Sequence, residues 1–429
     1  MVSHGATKDP ARKRPSARVP DAHSTSIRPS RCTSRLRTAR GPRNAATRCS
    51  ASSASAAIAA TDAPLSAGLP GVSSTTAMVA SATAARIPMP TRLYWRSIRT
   101  VSTFFMTPPS VDERAALAAA RDGTIVADLS HNALIAVSGD DAASFLHGQF
   151  TNDVESLGPG EAQWSGWCSP KGRLLATFLL ARREGEFLLM LPAEIAPAFA
   201  KRLGMYVLRS KVKIADASAE WARFGIAGKA AHAAIAAIFG AAPPRMRMVE
   251  CLGAVCIALD EQRFVVLAPR SVAEDLRVRL AQTGMPAGGE AWEWTGIQAG
   301  VPTIVAATQE AFIPQMANLD LVGGVSFRKG CYPGQEIVAR TQYRGILKRR
   351  MARAHVAGDG VPKPGDNVYS ASFGDQVAGT VVQAARSPDG GHDLLVVAQI
   401  ESLQAGNLRL GSPEGPAVEI RETPALAAP

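Results

Sequence analysis

Short apolar runs bounded by turn residues occupy most of the chain beyond residue 120, and they predict its elements one after another. The runs Ile125–Leu129, Ala133–Ser138, 162–169 (AQWSGWCS), 173–181 (RLLATFLLA) and 186–191 (EFLLML) read as strands, with a turn at Ser169-Pro170-Lys171-Gly172. Ser110-Val111-Asp112-Glu113 has the form of a capping box, and the Ala/Leu-rich segment after it predicts a helix to about Arg121. Gly139-Asp140-Asp141 turns into a short helix through Phe145 and Leu146. A helix follows Pro192, and 207–214 (VLRSKVKI) reads as a further strand. A similar order then recurs. Residues 222–228 predict a strand, 230–240 a helix, 253–260 with 263–269 a hairpin, and 272–282 a helix. The halves share element order and not sequence.

Beyond Met351 the spacing changes. Short strands at 352–356, 376–385, 393–400 and 416–422 alternate with turns such as Lys363-Pro364-Gly365-Asp366 and Asp389-Gly390-Gly391, the pattern of a small β-barrel. The predicted class is α+β with antiparallel sheets. Residues 106–215 form a first α+β subdomain, 216–350 a second, and 351–429 the barrel.

Charge changes the picture only at the N-terminus. The chain of 429 residues is formally +11. Residues 1–105 carry 16 Lys and Arg against three acids, a net of +13, and the remaining 324 residues sit near neutrality at −2. The high pI therefore does not mark the body as a nucleic-acid binder. The first 105 residues are rich in Arg, Ser, Ala and Pro and have no apolar period, so they are expected to be disordered. They read as an upstream extension ahead of a natural start at Met106, with an organellar transit peptide or a basic nucleic-acid-binding arm as alternatives. The first reading places the protein in the cytoplasm and the second in the mitochondrial matrix. The Ala/Ser run at 51–85 is broken by Asp62, Pro64, Pro70 and Gly71, so no membrane span is expected.

The six cysteines form no C-x-x-C pair, which excludes a zinc ribbon, a ferredoxin-like framework and a disulfide-rich secreted domain. Cys251 and Cys256 lie in apolar surroundings and read as core; the body histidines show no ligand spacing, and no stably bound metal is expected. One cysteine stands apart. In Lys329-Gly330-Cys331-Tyr332-Pro333-Gly334-Gln335-Glu336, Cys331 sits in a turn built by Gly330, Pro333 and Gly334, ahead of a helix predicted from about Gln335 to Tyr343. A helix N-terminus and the neighbouring Arg328 and Lys329 favour thiolate over thiol, which is how a reactive cysteine is made. A small residue packed under the turn is an equally weighted reading of the same chemistry. From Arg328 to Arg353 there are eight basic residues and one acid, Glu336, a strip suited to a polycarboxylate or phosphate partner, or simply a solvated face.

This segment resembles the signature of the YgfZ family of folate-binding proteins, relatives of the aminomethyltransferase (T-protein) of the glycine cleavage system. Further blocks are similar in order: Leu134–Val137 with Gly139–Ala142, then Phe145–Gln149 and Thr151–Val154; Cys168–Arg173; Tyr206 with Ser210–Val212; Gly300–Pro302; and Phe312–Gln315. The similarity covers roughly residues 110–429.

The resemblance implies a ring of ferredoxin-like α+β subdomains, the aminomethyltransferase folate-binding fold, around a central channel with a C-terminal β-barrel. It implies tetrahydrofolate or a derivative as cofactor. Arg340 and Arg344 are the candidates for its glutamate tail, and Trp164, Trp167, Trp292 and Trp294 for its walls, although a buried Trp is more often core. It also implies a role in assembly or repair of iron–sulfur enzymes, including radical enzymes that thiomethylate tRNA, with Cys331 as the reactive residue and iron–sulfur enzymes or cluster carriers as partners. Two rivals stand beside it. Aminomethyl transfer needs a carboxylate at the folate nitrogen. The transferases are expected to carry G-G-x-x-D-D where this chain has Lys171-Gly172-Arg173-Leu174-Leu175-Ala176, so a classical enzyme is not expected. A folate-gated, tRNA-binding regulatory module is the other, with the basic strip as its surface.

Overall fold

The structure is a computed structural model that describes residues 112–423 apart from Ile346 and Asp375. The N-terminal extension and Ser110 lie outside the described residues. The chain runs through α1 (Glu113–Asp122), β1 (Thr124–Asp128), β2 (Asn132–Ser138), α2 (Ala142–Gln149), β3 (Glu161–Cys168), β4 (Leu174–Arg183), β5 (Glu186–Pro192), α3 (Ala196–Gly204) and β6 (Lys213–Asp216). It continues through β7 (Trp221–Gly228), α4 (Ala231–Phe239), β8 (Met248–Cys251), β9 (Ala254–Ala258), β10 (Arg263–Pro269), α5 (Arg270–Ala281), β11 (Met285–Ala287), α6 (Gly289–Gln298) and α7 (Gln335–Arg344). The last part holds β12 (Arg349–Val356), β13 (Asn367–Ser370), β14 (Val377–Arg386), β15 (His392–Gln399), α8 (Ile400–Ala405), β16 (Leu408–Leu410) and β17 (Ala417–Glu422).

These strands make two sheets and a barrel. The first sheet has the order β3-β4-β5-β2-β6, the second β11-β1-β7-β10-β9-β8, and β12-β15-β14-β13-β16-β17 close into a six-stranded barrel. The class is α+β, as the pattern predicts. Both sheets are covered on both faces. Ile135, Leu180 and Leu189 of the first sheet pack under α2 and α3, and Ile226, Phe264 and Val266 of the second pack under α4 and α5. Their opposite faces meet in one core, where Leu134, Leu179 and Leu188 join Ile125, Val265 and Leu267, Trp292 and Trp294 of α6, and Leu395 and Val397 of the barrel. Burial on both faces explains why β4 is apolar from Leu174 to Ala181 apart from Thr177, whose buried hydroxyl donates to the Pro302 carbonyl. Each fully buried Leu, Ile or Phe contributes roughly 1.5–3 kcal/mol.

The cap of α1 is Asp112, whose carboxylate accepts from the N–H groups of Arg114 and Ala115, and the box expected from Ser110 falls outside the described residues. Three expectations are corrected. α1 and β1, assigned by sequence position to the first subdomain, belong with the second sheet. There β1 pairs antiparallel with β7 and parallel with β11. The strand expected over 207–214 shrinks to β6, because Leu208 turns at φ +46° and is exposed. The barrel needs two further strands, β13 and β16, of four and three residues, too short to carry a period.

Candidate functional site

Cys331 is a free, exposed cysteine in the connection that leads into α7. The predicted helix is present at Gln335–Arg344, and Gly334 at φ +81° starts it. That conformation is one only glycine adopts without strain. The space also demands glycine: a Cβ on Gly334 would lie 2.4 Å from the Ser169 carbonyl oxygen and 2.6 Å from Gly172. Gly172, at φ +70°, is hemmed in turn by the Gly334 carbonyl and Ile337. The β3–β4 turn and the cysteine turn are therefore locked backbone to backbone.

Other blocks converge on the same place. Gln315 donates through Nε2 to the Val338 carbonyl of α7 at 2.8 Å, and the Leu174 N–H donates to the Phe312 carbonyl at 2.8 Å. Arg173 donates to the Ala311 carbonyl at 2.7 Å. From the first block, Thr151 accepts the Ser326 N–H on its carbonyl (2.9 Å) and donates its hydroxyl to the Gly324 carbonyl (2.6 Å), while Asn152 donates to the Gly323 carbonyl (2.7 Å). Stretches of chain more than 150 residues apart thus fix the loop that ends in Cys331.

Lys329 has a task different from the one its position suggests. Its ammonium is buried and donates to the carbonyls of His147 and, at 2.7 Å, Phe150, at the C-terminal end of α2. A cation there satisfies unpaired carbonyls and complements the helix dipole. Burial lowers its pKa to about 8, against the pull of Asp153, Glu155 and the Cys331 sulfur. Its Nζ also lies 4.8 Å from the centroid of the Tyr332 ring, and Tyr332 is buried, its phenol pushed well above the ordinary range by that burial. Gln335 donates to the Gly330 carbonyl at 3.3 Å, and Glu336 is exposed in the first turn of α7.

His147 and Asp153 carry a signal the sequence reading passed over. His147 Nδ1 lies 3.1 Å from the Asp153 carboxylate, and its Nε2 lies 3.5 Å from where a Cβ on Gly330 would stand. Burial raises the pKa of Asp153, but the Ser156 N–H and His147 outweigh it and hold the group below its ordinary value. The two residues stand six apart across the end of a helix, a separation with no metal or triad signature, so only the fold reveals the pair.

The remaining candidates divide. Arg340 and Arg344 are exposed one turn apart on α7, and among the described residues neither forms an ion pair or hydrogen bond. Tyr343 beside them is 69 % exposed and meets Phe327 edge-on at 6.3 Å. Trp164 on β3 is half-buried, its carbonyl accepting from Asn152. Trp167 is corrected from a candidate wall to core: it is 2 % exposed and packs on Phe199 and Tyr206, with Arg202 over its ring. Trp294 is tied to the barrel through Nε1 to Asp393 at 2.7 Å, and Trp292 lies flat against Gly225. Cys168 and Cys256 are buried, and that burial drives their thiols far up from the ordinary range. Among the described residues no three His, Cys, Asp or Glu gather to hold a metal ion, and no helix is long and apolar enough to cross a membrane.

Comparison with known proteins gives the geometry a context. Residues 104–274 match the GCVT N-terminal domain family. The tRNA-modifying protein YgfZ of Serratia proteamaculans is 33% identical over 263 residues, covering 60% of this chain and 79% of that protein. The protein of the same name from Cronobacter sakazakii is 31% identical over 300 residues, covering 69% and 90%. Among solved structures, the glycine cleavage system aminomethyltransferase T from Bartonella henselae superposes with a TM-score of 0.61 at 18% identity, over 72% of this chain and 88% of that one. That likeness is one of fold.

Proposed function

The chain belongs to the YgfZ family, and from that premise we propose that it is a tetrahydrofolate-binding accessory protein for the assembly or repair of iron–sulfur enzymes that modify tRNA, with Cys331 as its reactive group. One observation carries this reading: an exposed thiol at the end of a loop that distant sequence blocks hold rigid. Cores fix small buried cysteines as a matter of course, but fixing an exposed one this heavily serves presentation of the sulfur to a partner. The names of the relatives, tRNA-modifying proteins, support the choice of client.

The donor set suits a folate. Arg340 and Arg344 offer two unpaired guanidiniums to a glutamate tail, the bidentate recognition that carboxylates favour. Half-buried Trp164 remains as an aromatic candidate for a pterin wall, whereas Trp292 is buried in the core. When bound, the folate supplies a one-carbon carrier; the chain's own part is to bind it and to hold Cys331. Aminomethyl transfer is disfavoured. Leu174, Leu175 and Ala176 stand where the transferase carboxylates are expected, and they are buried in β4, 0, 6 and 1 % exposed. A second reading, tRNA binding, is favoured by Tyr343, an exposed aromatic between two unpaired arginines. Binding of tRNA that weakens steeply as salt rises would support it.

The test of the main reading is calorimetric titration of tetrahydrofolate into the protein and into Arg340→Ala. Saturable binding that weakens about tenfold in the variant is expected from loss of one charge-assisted contact. No binding by the unaltered chain overturns the folate assignment.

A further inference from the structure

A cavity of about 230 Å³ opens at one end of the second sheet, lined by Asp128, Ser130, Arg223, Arg270, Glu274 and Arg277 among others. None of these residues belongs to the blocks around Cys331. The charges are unevenly matched. Arg277 is held bidentately by Glu274, at 2.9 and 2.5 Å. Arg223 and Arg270 form no ion pair among the described residues. Arg223 is only 7 % exposed; its Nη1 donates to the carbonyls of Ser218 (2.9 Å) and Trp221 (2.8 Å), and its Nε has no partner. Arg270 donates Nε to the adjacent Ala219 carbonyl at 3.0 Å, which brings the second guanidinium to the same loop. Burial and then the Arg270 charge depress the pKa of Arg223, while Asp128 and Asp216 pull the other way without contact. Asp128 is partly engaged, accepting from the Ser130 N–H at 2.7 Å.

Two guanidiniums that line one cavity, neither in an ion pair among the described residues, are poised for an anion from outside. Arg270 is also the first residue of the twelve-residue α5, whose Ala273, Glu274 and Arg277 line the same space. Planar guanidinium forks favour an oxyanion with several acceptor oxygens, and the cavity exceeds what one phosphate group fills. We propose that this cavity binds the phosphate of a small phosphomonoester, at a site separate from Cys331.

Ribose 5-phosphate, titrated calorimetrically into the full chain at constant ionic strength, tests the proposal. Saturable one-to-one binding is expected, weakened about tenfold or more in Arg270→Ala and in Arg223→Lys. Arg270 is exposed, so Arg270→Ala keeps the test intact should the buried Arg223→Lys fail to fold. The absence of saturable binding overturns the proposal, as does an affinity unchanged in Arg270→Ala. Binding of a single-stranded oligoribonucleotide with none of ribose 5-phosphate also overturns it, in favour of a nucleic-acid backbone.

Discussion

Lys329 shows how far a residue's role departs from its place in a motif. Beside Cys331 in sequence, it is spent on the carbonyls of His147 and Phe150, so the cation expected to act on the sulfur chiefly holds α2 against the cysteine loop. Lys329→Met strands those carbonyls and is expected to cost about 1–3 kcal/mol in urea unfolding. The pH dependence has a definite sign. The folded-state pKa of about 8 lies below that of an unfolded lysine. Between these values the unfolded chain holds the proton and the folded chain does not, so stability from this group rises with pH there and is lost as pH falls through about 8. The advantage of the unaltered protein over Lys329→Met should therefore be larger at pH 9.5 than at pH 7 (~1 kcal/mol suffices to see it). An advantage that shrinks as pH rises would contradict the burial argument. At this scale the sequence made Cys331 and its glycines legible, because turn chemistry is local. The His147–Asp153 pair and the fate of Trp167 were not, because both depend on what the fold brings alongside.

Among elements, the decisive contact is that between the β3–β4 turn and the turn before α7. Gly334→Ala puts a methyl group into the Ser169 carbonyl at positive φ, whereas Gly300→Ala, also at positive φ, meets nothing within 4 Å. Backbone strain alone costs about 1–2 kcal/mol at either position. We expect Gly334→Ala to lose clearly more than Gly300→Ala in denaturant midpoints, and equal losses would mean that the two turns are not interlocked. Most elements were legible from apolar runs and turn residues. Partners were not: period and length identify β1 as a strand but carry no information that its neighbours are β7 and β11, one about 100 and the other about 160 residues away.

For the molecule as a whole, the shared core implies that sheets and barrel unfold together. Asp393 is the polar pin of that arrangement. Its carboxylate accepts from Trp294 Nε1 at 2.7 Å and Gln298 at 3.0 Å, and faces His355 Nδ1 at 2.8 Å. Asp393→Ala leaves buried Trp294 and His355 without this partner and should lower stability by about 3 kcal/mol or more. Tryptophan fluorescence and far-ultraviolet dichroism should shift together; a separate early transition of the barrel would show that the core is not shared. The overall class and the barrel were legible from the sequence, since strand spacing signals them. The route by which the chain enters the second sheet before building the first was not.

The most direct test of the central claim lies with Cys331. In cells lacking their own protein of this family, Cys331→Ser should fail to restore methylthiolation of tRNA, while the purified variant binds tetrahydrofolate as tightly as the unaltered chain. Full restoration by Cys331→Ser would contradict the account, because the exposed sulfur would then have no part in the function.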